Sequence, residues 1–364
     1  MFMKKATLLI ALSLVGQASA FRLGISYSFG LINDKGFNEA AYMGAERVRK
    51  EMKIDVSAVR PKPDTKEFKF ADLARVGSDL IIGIGFQQAE AVEKAARQFP
   101  DHKFAIVDSI ITGDNVTSVT FREHEGSYLA GVLAGLNTST NVIGFIGGMD
   151  IPVIRRFKAG FEAGVKFANP KAKVVTAFVG TTPAAWSDTG RSREIAKSMR
   201  AKGADIIFSA AGGSVDGLLS DLRQVPCLKS SLLPAGVKFM QDQFRQVKKS
   251  ADYQAKCAGN SRPRFFIGVD TNQNALGDFD RDSSTLNHGL TSVTKQVDSA
   301  VYILAKKATQ GSPLKGELSL GLKEKGVGLS FDRYNAALVD ARQRGQIDSI
   351  SALISSGQRH VPEK

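Results

Sequence analysis

Along most of the chain, apolar residues come in short runs separated by stretches of about a dozen residues with helical periodicity. The first run, 22–28, alternates Leu23, Ile25 and Tyr27 with smaller residues and predicts a strand. Ala40, Ala41, Met43, Gly44, Ala45 and Val48 then share one face of a helix near 37–52. Strands are predicted near 54–59, at Leu80–Ile84 and at Phe104–Val107, with helices around 67–76 and 87–98. A second series opens after Thr138-Ser139-Thr140-Asn141. It runs strand Val142–Ile146, helix Pro152–Phe167, strand Val174–Val179, helix 189–201 and strand Asp205–Phe208. Pro152 suits a first helical turn, where its missing N–H would have no partner anyway. Phe265–Val269 resumes the strand pattern, a helix follows around 296–310, and the tail offers Val327–Phe331 and a helix within 335–355. Short strands alternating with helices define an α/β protein with two successive doubly wound parallel sheets.

Such sheets bind ligands beyond the carboxyl ends of their strands, and several of these strands end in chemically useful residues. The loop Gly30-Leu31-Ile32-Asn33-Asp34-Lys35-Gly36-Phe37-Asn38 offers a carboxylate (Asp34), an aromatic (Phe37) and an amide (Asn38). Asp34 is equally well placed to cap the helix that begins near Phe37. Asp108 and Asp270 each close a strand, Gly212 and Gly213 form a turn, Trp186 sits in a loop, and Lys295 ends the run 289–295. Phe37 and Trp186 suit a flat ring between them. The acids and Asn38 suit hydroxyls or ring nitrogens, and Lys295 balances a buried carboxylate, so the set favours specific binding of a small polar molecule.

Charge and composition narrow the context. Lys4 and Lys5, the apolar run Ala6–Val15 and Ala18-Ser19-Ala20 form a secretory signal peptide, with the mature chain expected to begin at Phe21. No later run is long enough to span a bilayer, so no stable membrane insertion is expected. A basic chain, +13 overall, permits nucleic-acid binding, but an exported chain without a basic-aromatic module argues against it. Residues 219–264 break the rhythm and read as an insertion. It holds both cysteines, Cys227 and Cys257, which in an exported protein read as a disulfide. Enzymatic chemistry finds little support. His102, His124, His288 and His360 lack metal-ligand spacing, no P-loop or nucleophile elbow occurs, and neither a cofactor nor a metal is expected. Asp278, Asp280 and Asp282 imitate half a calcium loop, but Ser283 and Gly289 stand where glycine and a bidentate glutamate are needed.

Several long motifs, in order, resemble the basic membrane protein family of substrate-binding proteins of ABC importers. They are GLINDKGFN, FAIVD ending at Asp108, NVTSVTFREHEGSYLAGVLAG at 115–135, GFIGGMDIPVIRRFKAGFEAGVKFANP at 144–170, GADIIFSAAGG at 203–213, FIGVDTNQ at 266–273 and LTSVTKQVDSAVY at 290–302. The resemblance implies a type I periplasmic-binding fold: two lobes joined by three crossings, a nucleoside (a purine nucleoside first) in the cleft, and a permease as partner. On this sequence Phe37 matches the aromatic that stacks on the base, with Asn38 beside it. Asp108 matches an acid of the cleft, and Asp270 and Lys295 the pair at the ribose hydroxyls. Trp186 matches the aromatic of the opposite lobe, and Gly212 and Gly213 the turn that lets backbone approach the ligand. Ser28 stands where members commonly carry Asp, and Gly36 where the motif has Ser. Residue 21 is Phe, not a lipid-attachment cysteine, so the expectation is a periplasmic monomer and not a lipoprotein. The expected lobes are 21–138 with about 271–310, and 139–270 with about 311–364. The rival readings are another small polar metabolite, a sensory output, and a nucleoside-cleaving enzyme.

Overall fold

The computed structural model describes residues 21–61 and 68–364. The leader 1–20 and the expected helix start at 67 lie outside the described residues. The strands of the first half are β1 (Arg22–Ser26), β2 (Asp55–Val59), β3 (Leu80–Ile84), β4 (Lys103–Val107) and β5 (Val116–Phe121). Then come β6 (Val142–Gly147), β7 (Lys173–Phe178), β8 (Ile206–Ala210), β9 (Cys227–Lys229) and β10 (Ser261–Pro263). The last are β11 (Phe265–Asp270), β12 (Gly289–Lys295), β13 (Gly316–Leu320) and β14 (Val327–Leu329). One sheet has the order β2-β1-β3-β4-β5-β13 and the other β7-β6-β8-β11-β12-β14. The first is parallel throughout, and the second is parallel except where β14 runs against β12.

The expected pair of doubly wound sheets is therefore present, each with its order reversing beside its first strand. That reversal splays the following loops apart and opens a crevice there. The two sheets also repeat in detail. Phe104-Ala105-Ile106-Val107-Asp108 and Phe266-Ile267-Gly268-Val269-Asp270 occupy matching fourth strands. The fifth strands end Thr117-Ser118-Val119-Thr120-Phe121 and Thr291-Ser292-Val293-Thr294-Lys295.

In the first lobe, Leu23, Ile25, Ile82 and Ile84 meet Ala41 and Val48 of helix Phe37–Met52 and Val301 and Leu304 of helix Val297–Thr309. Each such aliphatic side chain removed from water stabilises the fold by about 1.5–3 kcal/mol. In the second lobe, helices Glu123–Asn137 and Pro152–Ala168 approach almost backbone to backbone. A β-carbon on Gly131, Gly160 or Gly164 would collide with the main chain of the facing helix.

Strand pairing divides the chain differently from the expected lobe limits. Helix Glu123–Asn137 packs in the second lobe's core rather than closing the first. Strand β12 pairs with β11, which takes 289–295 into the second sheet, and β13 pairs with β5, which takes 316–320 into the first. The chain thus passes between lobes at Arg122, at Gln296 and within 321–326. The crossings lie side by side, with Arg122 N–H donating to Leu320 O (3.0 Å) and Gln296 N–H to Gly326 O (2.8 Å).

The expected insertion is shorter than 219–264, because residues up to Gln224 complete helix Val215–Gln224. What remains is the antiparallel pair β9/β10, the short helix Ala251–Lys256 between those strands and connecting loops. Cys227 and Cys257 form the expected disulfide, with Cα atoms 6.0 Å apart, packed with buried Phe244 and Tyr253. Closing a 30-residue loop stabilises by about 3–4 kcal/mol on the chain-entropy account. The double substitution Cys227→Ser, Cys257→Ser should lower the urea midpoint accordingly. An unchanged midpoint would mean that packing alone holds the segment.

Candidate functional site

A cavity of about 230 Å³ lies between the carboxyl ends of the two sheets. All nine residues expected at the site border it: Asp34, Phe37, Asn38, Asp108, Trp186, Gly212, Gly213, Asp270 and Lys295. The first lobe adds Ser28, Phe86 and Gln87, and the second adds Ile154 and Phe157.

At its inner end the wall is ionic. Lys295, at the end of β12, places Nζ 2.6 Å from Asp108 Oδ1 and 3.0 Å from Glu123 Oε1. The other oxygen of Glu123 accepts a 2.6 Å hydrogen bond from Arg156 Nε. The Lys295 side chain is only 1% exposed and that of Glu123 fully buried. Burial alone would strip the lysine of its proton, but Asp108, Glu123 and Asp270 outweigh it and raise its pKa, so the ammonium persists. Its charge also lies 5.0 Å from the Phe121 ring centre and 5.2 Å from that of Phe37, within cation–π range. Burial pushes the Asp108 carboxyl up, and the adjacent ammonium pulls it part of the way back.

Asp108 and Asp270 both have left-handed backbone, φ +67° and +66°. Aspartate tolerates this region better than most residues, and the same turn at both strand ends sets the two acids at matching positions of the two lobes. Their surroundings differ. Asp270 accepts no hydrogen bond from the described residues, and burial, then the neighbouring acids against the pull of Lys295, raises its pKa to about 7. Its carboxyl group borders the cavity.

Two expected ligand residues have their hydrogen bonds largely committed within the protein. Asp34 accepts from the N–H groups of Gly36 (2.9 Å), Asn38 (3.1 Å) and Glu39 (3.2 Å), which makes it the cap of helix Phe37–Met52. Asn38 is buried. Its amide donates to Phe29 O and Leu31 O, and its Oδ1 accepts from Ser28 N–H, so it fastens the loop to β1. Phe37 keeps its ring on the cavity. Across from it, the Trp186 indole lies over Gly148, where a β-carbon would run into the ring. The backbone turns beside Trp186 at Gly212 (φ +54°) and Gly213. Trp186 Nε1 is buried without a hydrogen-bond partner among the described residues.

Sequence reasoning missed Glu123, Arg156 and Gly148. Glu123 had a readable signal, an acid two residues beyond the alternating strand Val116–Phe121, but its meaning comes from burial beside Lys295. Arg156 carries no local signal, and Gly148 reads only as part of the glycine loop Gly147-Gly148-Met149-Asp150 after strand Val142–Ile146.

Two α/β lobes around a polar, aromatic-lined cleft at their strand ends define a type I solute-binding protein. The fold is shared with solved proteins. An ABC transporter solute-binding protein from Aeropyrum pernix superposes with a TM-score of 0.72 at 22% identity, covering 94% of each chain. A protein described as a transcriptional activator of the comK gene from Bacillus halodurans gives 0.69 at 22%, covering 94% of this chain and 99% of its own. The sequence matches the Bmp profile, "ABC transporter substrate-binding protein PnrA-like", over 25–227 and 220–362. It is 32% identical to the ABC transporter nucleoside-binding protein BmpA of Lactococcus lactis (92% of this chain, 86% of that one). It is 30% identical to basic membrane protein A of Borreliella burgdorferi (92% and 85%). The chain belongs to the Bmp family of ABC transporter substrate-binding proteins, which are binding proteins and not enzymes. No helix among the described residues is long and apolar enough to cross a membrane.

Proposed function

We propose that this protein captures a nucleoside, with a purine nucleoside as the first expectation, in the cleft between its lobes and delivers it to the permease of an ABC importer. The observation that carries this reading is one cavity joining two aromatic rings, Phe37 and Trp186, to the unpartnered carboxylate of Asp270. Rings suit a base and the acid suits ribose hydroxyls. The Lactococcus lactis relative, whose name gives it nucleoside binding, supports the same class. A leader ending at Ala20, without a lipid-attachment cysteine, fits a freely diffusing periplasmic carrier.

Mass spectrometry of the molecule that co-purifies is the direct test, and a ligand without a ring and hydroxyls would overturn the reading. In calorimetry with inosine, Phe37→Ala should weaken binding at least tenfold, since base–aromatic stacking contributes about 1–3 kcal/mol. Unchanged affinity would remove Phe37 from the site, and release of free base would replace the carrier by an enzyme.

The charges also set a limit on the ligand. In and directly behind the cavity stand five acids, Asp34, Asp108, Glu123, Asp216 and Asp270, against three cations, Lys35, Arg156 and Lys295. With all ionised the sum is 3 − 5 = −2, which repels a phosphate. Inosine 5′-monophosphate should therefore bind at least about a hundredfold more weakly than inosine, as burying like charges together costs several kcal/mol. Equal affinities in competition calorimetry would refute this charge assignment.

A further inference from the structure

Lys35 belongs to the first lobe, yet nearly all its polar contacts are made with the second. Its backbone carbonyl accepts two hydrogen bonds from across the cleft, from Thr271 Oγ1 at 2.6 Å and from Gln273 Nε2 at 2.7 Å. Its ammonium lies 3.0 and 3.3 Å from the two carboxylate oxygens of Asp216, on helix Val215–Gln224 of the second lobe. Its N–H donates to Glu39 Oε2 at 2.9 Å. The backbone carbonyl and N–H are thus both occupied, and the ammonium is held by Asp216.

The backbone of Lys35 is unusual for this purpose. Its φ is +58°, the left-handed region that non-glycine residues seldom occupy. This conformation lets one residue direct its carbonyl at β11's exit while the side chain reaches Asp216. The receiving groups are prepared as well. Gln273 is 2% exposed, its Oε1 accepts from Val269 N–H (3.1 Å), and its own N–H donates to Ser292 Oγ (2.9 Å). Only its Nε2 faces the other lobe. The same loop brings Gly36 over Asp270, where a β-carbon would stand 3.5 Å from Oδ2.

We infer that Lys35, with Thr271, Gln273 and Asp216, forms a clasp that holds the lobes together over Asp270 and so sets how long a solute stays bound. Lys35 is a positioning residue in this scheme: it fixes the loop that carries Phe37. The inference rests on the cleft being the binding site proposed above. The salt bridge is about half exposed, 45% and 47% for the two side chains, and pairs of that kind contribute little. The two hydrogen bonds to the carbonyl therefore carry more of the effect.

Stopped-flow binding of inosine, followed by Trp186 fluorescence, together with small-angle scattering of the ligand-free protein, tests the clasp. Thr271→Val should speed dissociation about threefold to tenfold, the span expected for one hydrogen bond, with association within about twofold, since such changes act mainly on release. Asp216→Asn should speed dissociation by less, and the double variant should show the larger radius of gyration when ligand-free. A thermal melt of Thr271→Val close to that of the parent would show that the fold is intact. Unchanged dissociation in Thr271→Val, or an equal loss in association, would overturn the clasp. If inosine fails to bind the parent protein, the nucleoside reading fails. The scattering comparison then still decides the clasp, because a radius of gyration unchanged in the double variant would exclude it.

Discussion

Replacing Lys295 by methionine should destabilise the protein by about 3–5 kcal/mol, read as a lowered urea midpoint at pH 7. Methionine keeps much of the side-chain volume but removes the cation shared by Asp108 and Glu123. Taking one partner from a buried ion pair leaves charge in a medium that solvates it poorly, and that, not the lost attraction, is the larger cost. Glu123 retains Arg156, so the stranded charge is principally that of Asp108. Its protonation removes the conflict, and the deficit should therefore shrink as the pH is lowered. A deficit that stays constant from pH 8 to 5 would show that Lys295 acts through packing alone.

The second large effect lies at Asp270, where stability and binding should move in opposite directions. Its folded pKa of about 7 lies above the ordinary carboxyl value. The ligand-free protein therefore gains stability from a protonated Asp270 at low pH and loses that contribution as pH rises through about 7. At 1.36 kcal/mol per pH unit the loss above pH 7 is on the order of 4 kcal/mol at most. Asp270→Asn removes the ionisation. Its thermal midpoint should exceed that of the parent at pH 8, and the two should converge near pH 4. Asp205, a buried acid held by Thr138 and also raised to about 7, contributes alike to both proteins and cancels in the difference. Inosine affinity should fall at least tenfold in the variant at pH 8, since a carboxylate is the stronger acceptor for hydroxyl donors. In the parent, affinity should decline as pH falls from 8 to 5.5. Destabilisation of Asp270→Asn at pH 8, or unaltered binding, would contradict this account.

Much of this architecture could be read from the chain because short apolar strands and amphipathic helices leave distinct periods. Helix Glu123–Asn137 left none. It is buried on nearly every side, so its glycines, alanines and leucines carry no polar stripe, and with no helix recognised the lobe boundary fell after it instead of before. Strand β13, Gly316–Leu320, is half exposed and only five residues long, too weak a pattern to separate from loop. At the site, Asp108, Asp270 and Lys295 were legible one by one as strand-end residues, and the family resemblance gathered them. That Asp34 and Asn38 spend their hydrogen bonds on the loop itself follows from three-dimensional reach, which spacing along the chain does not disclose.

The matched strand ends of the two lobes have a consequence for how charge is shared across the cleft. Thr117–Phe121 and Thr291–Lys295 differ at the last position, while Asp108 and Asp270 keep the same residue and the same backbone turn. Where the second lobe's strand ends in Lys295 the first lobe's ends in Phe121, whose ring centre lies 5.0 Å from that ammonium. Two like-placed carboxylates thus share one cation unequally: Lys295 forms an ion pair with Asp108 and acts on Asp270 only through its field, so the lobe that carries the lysine keeps the less neutralised acid.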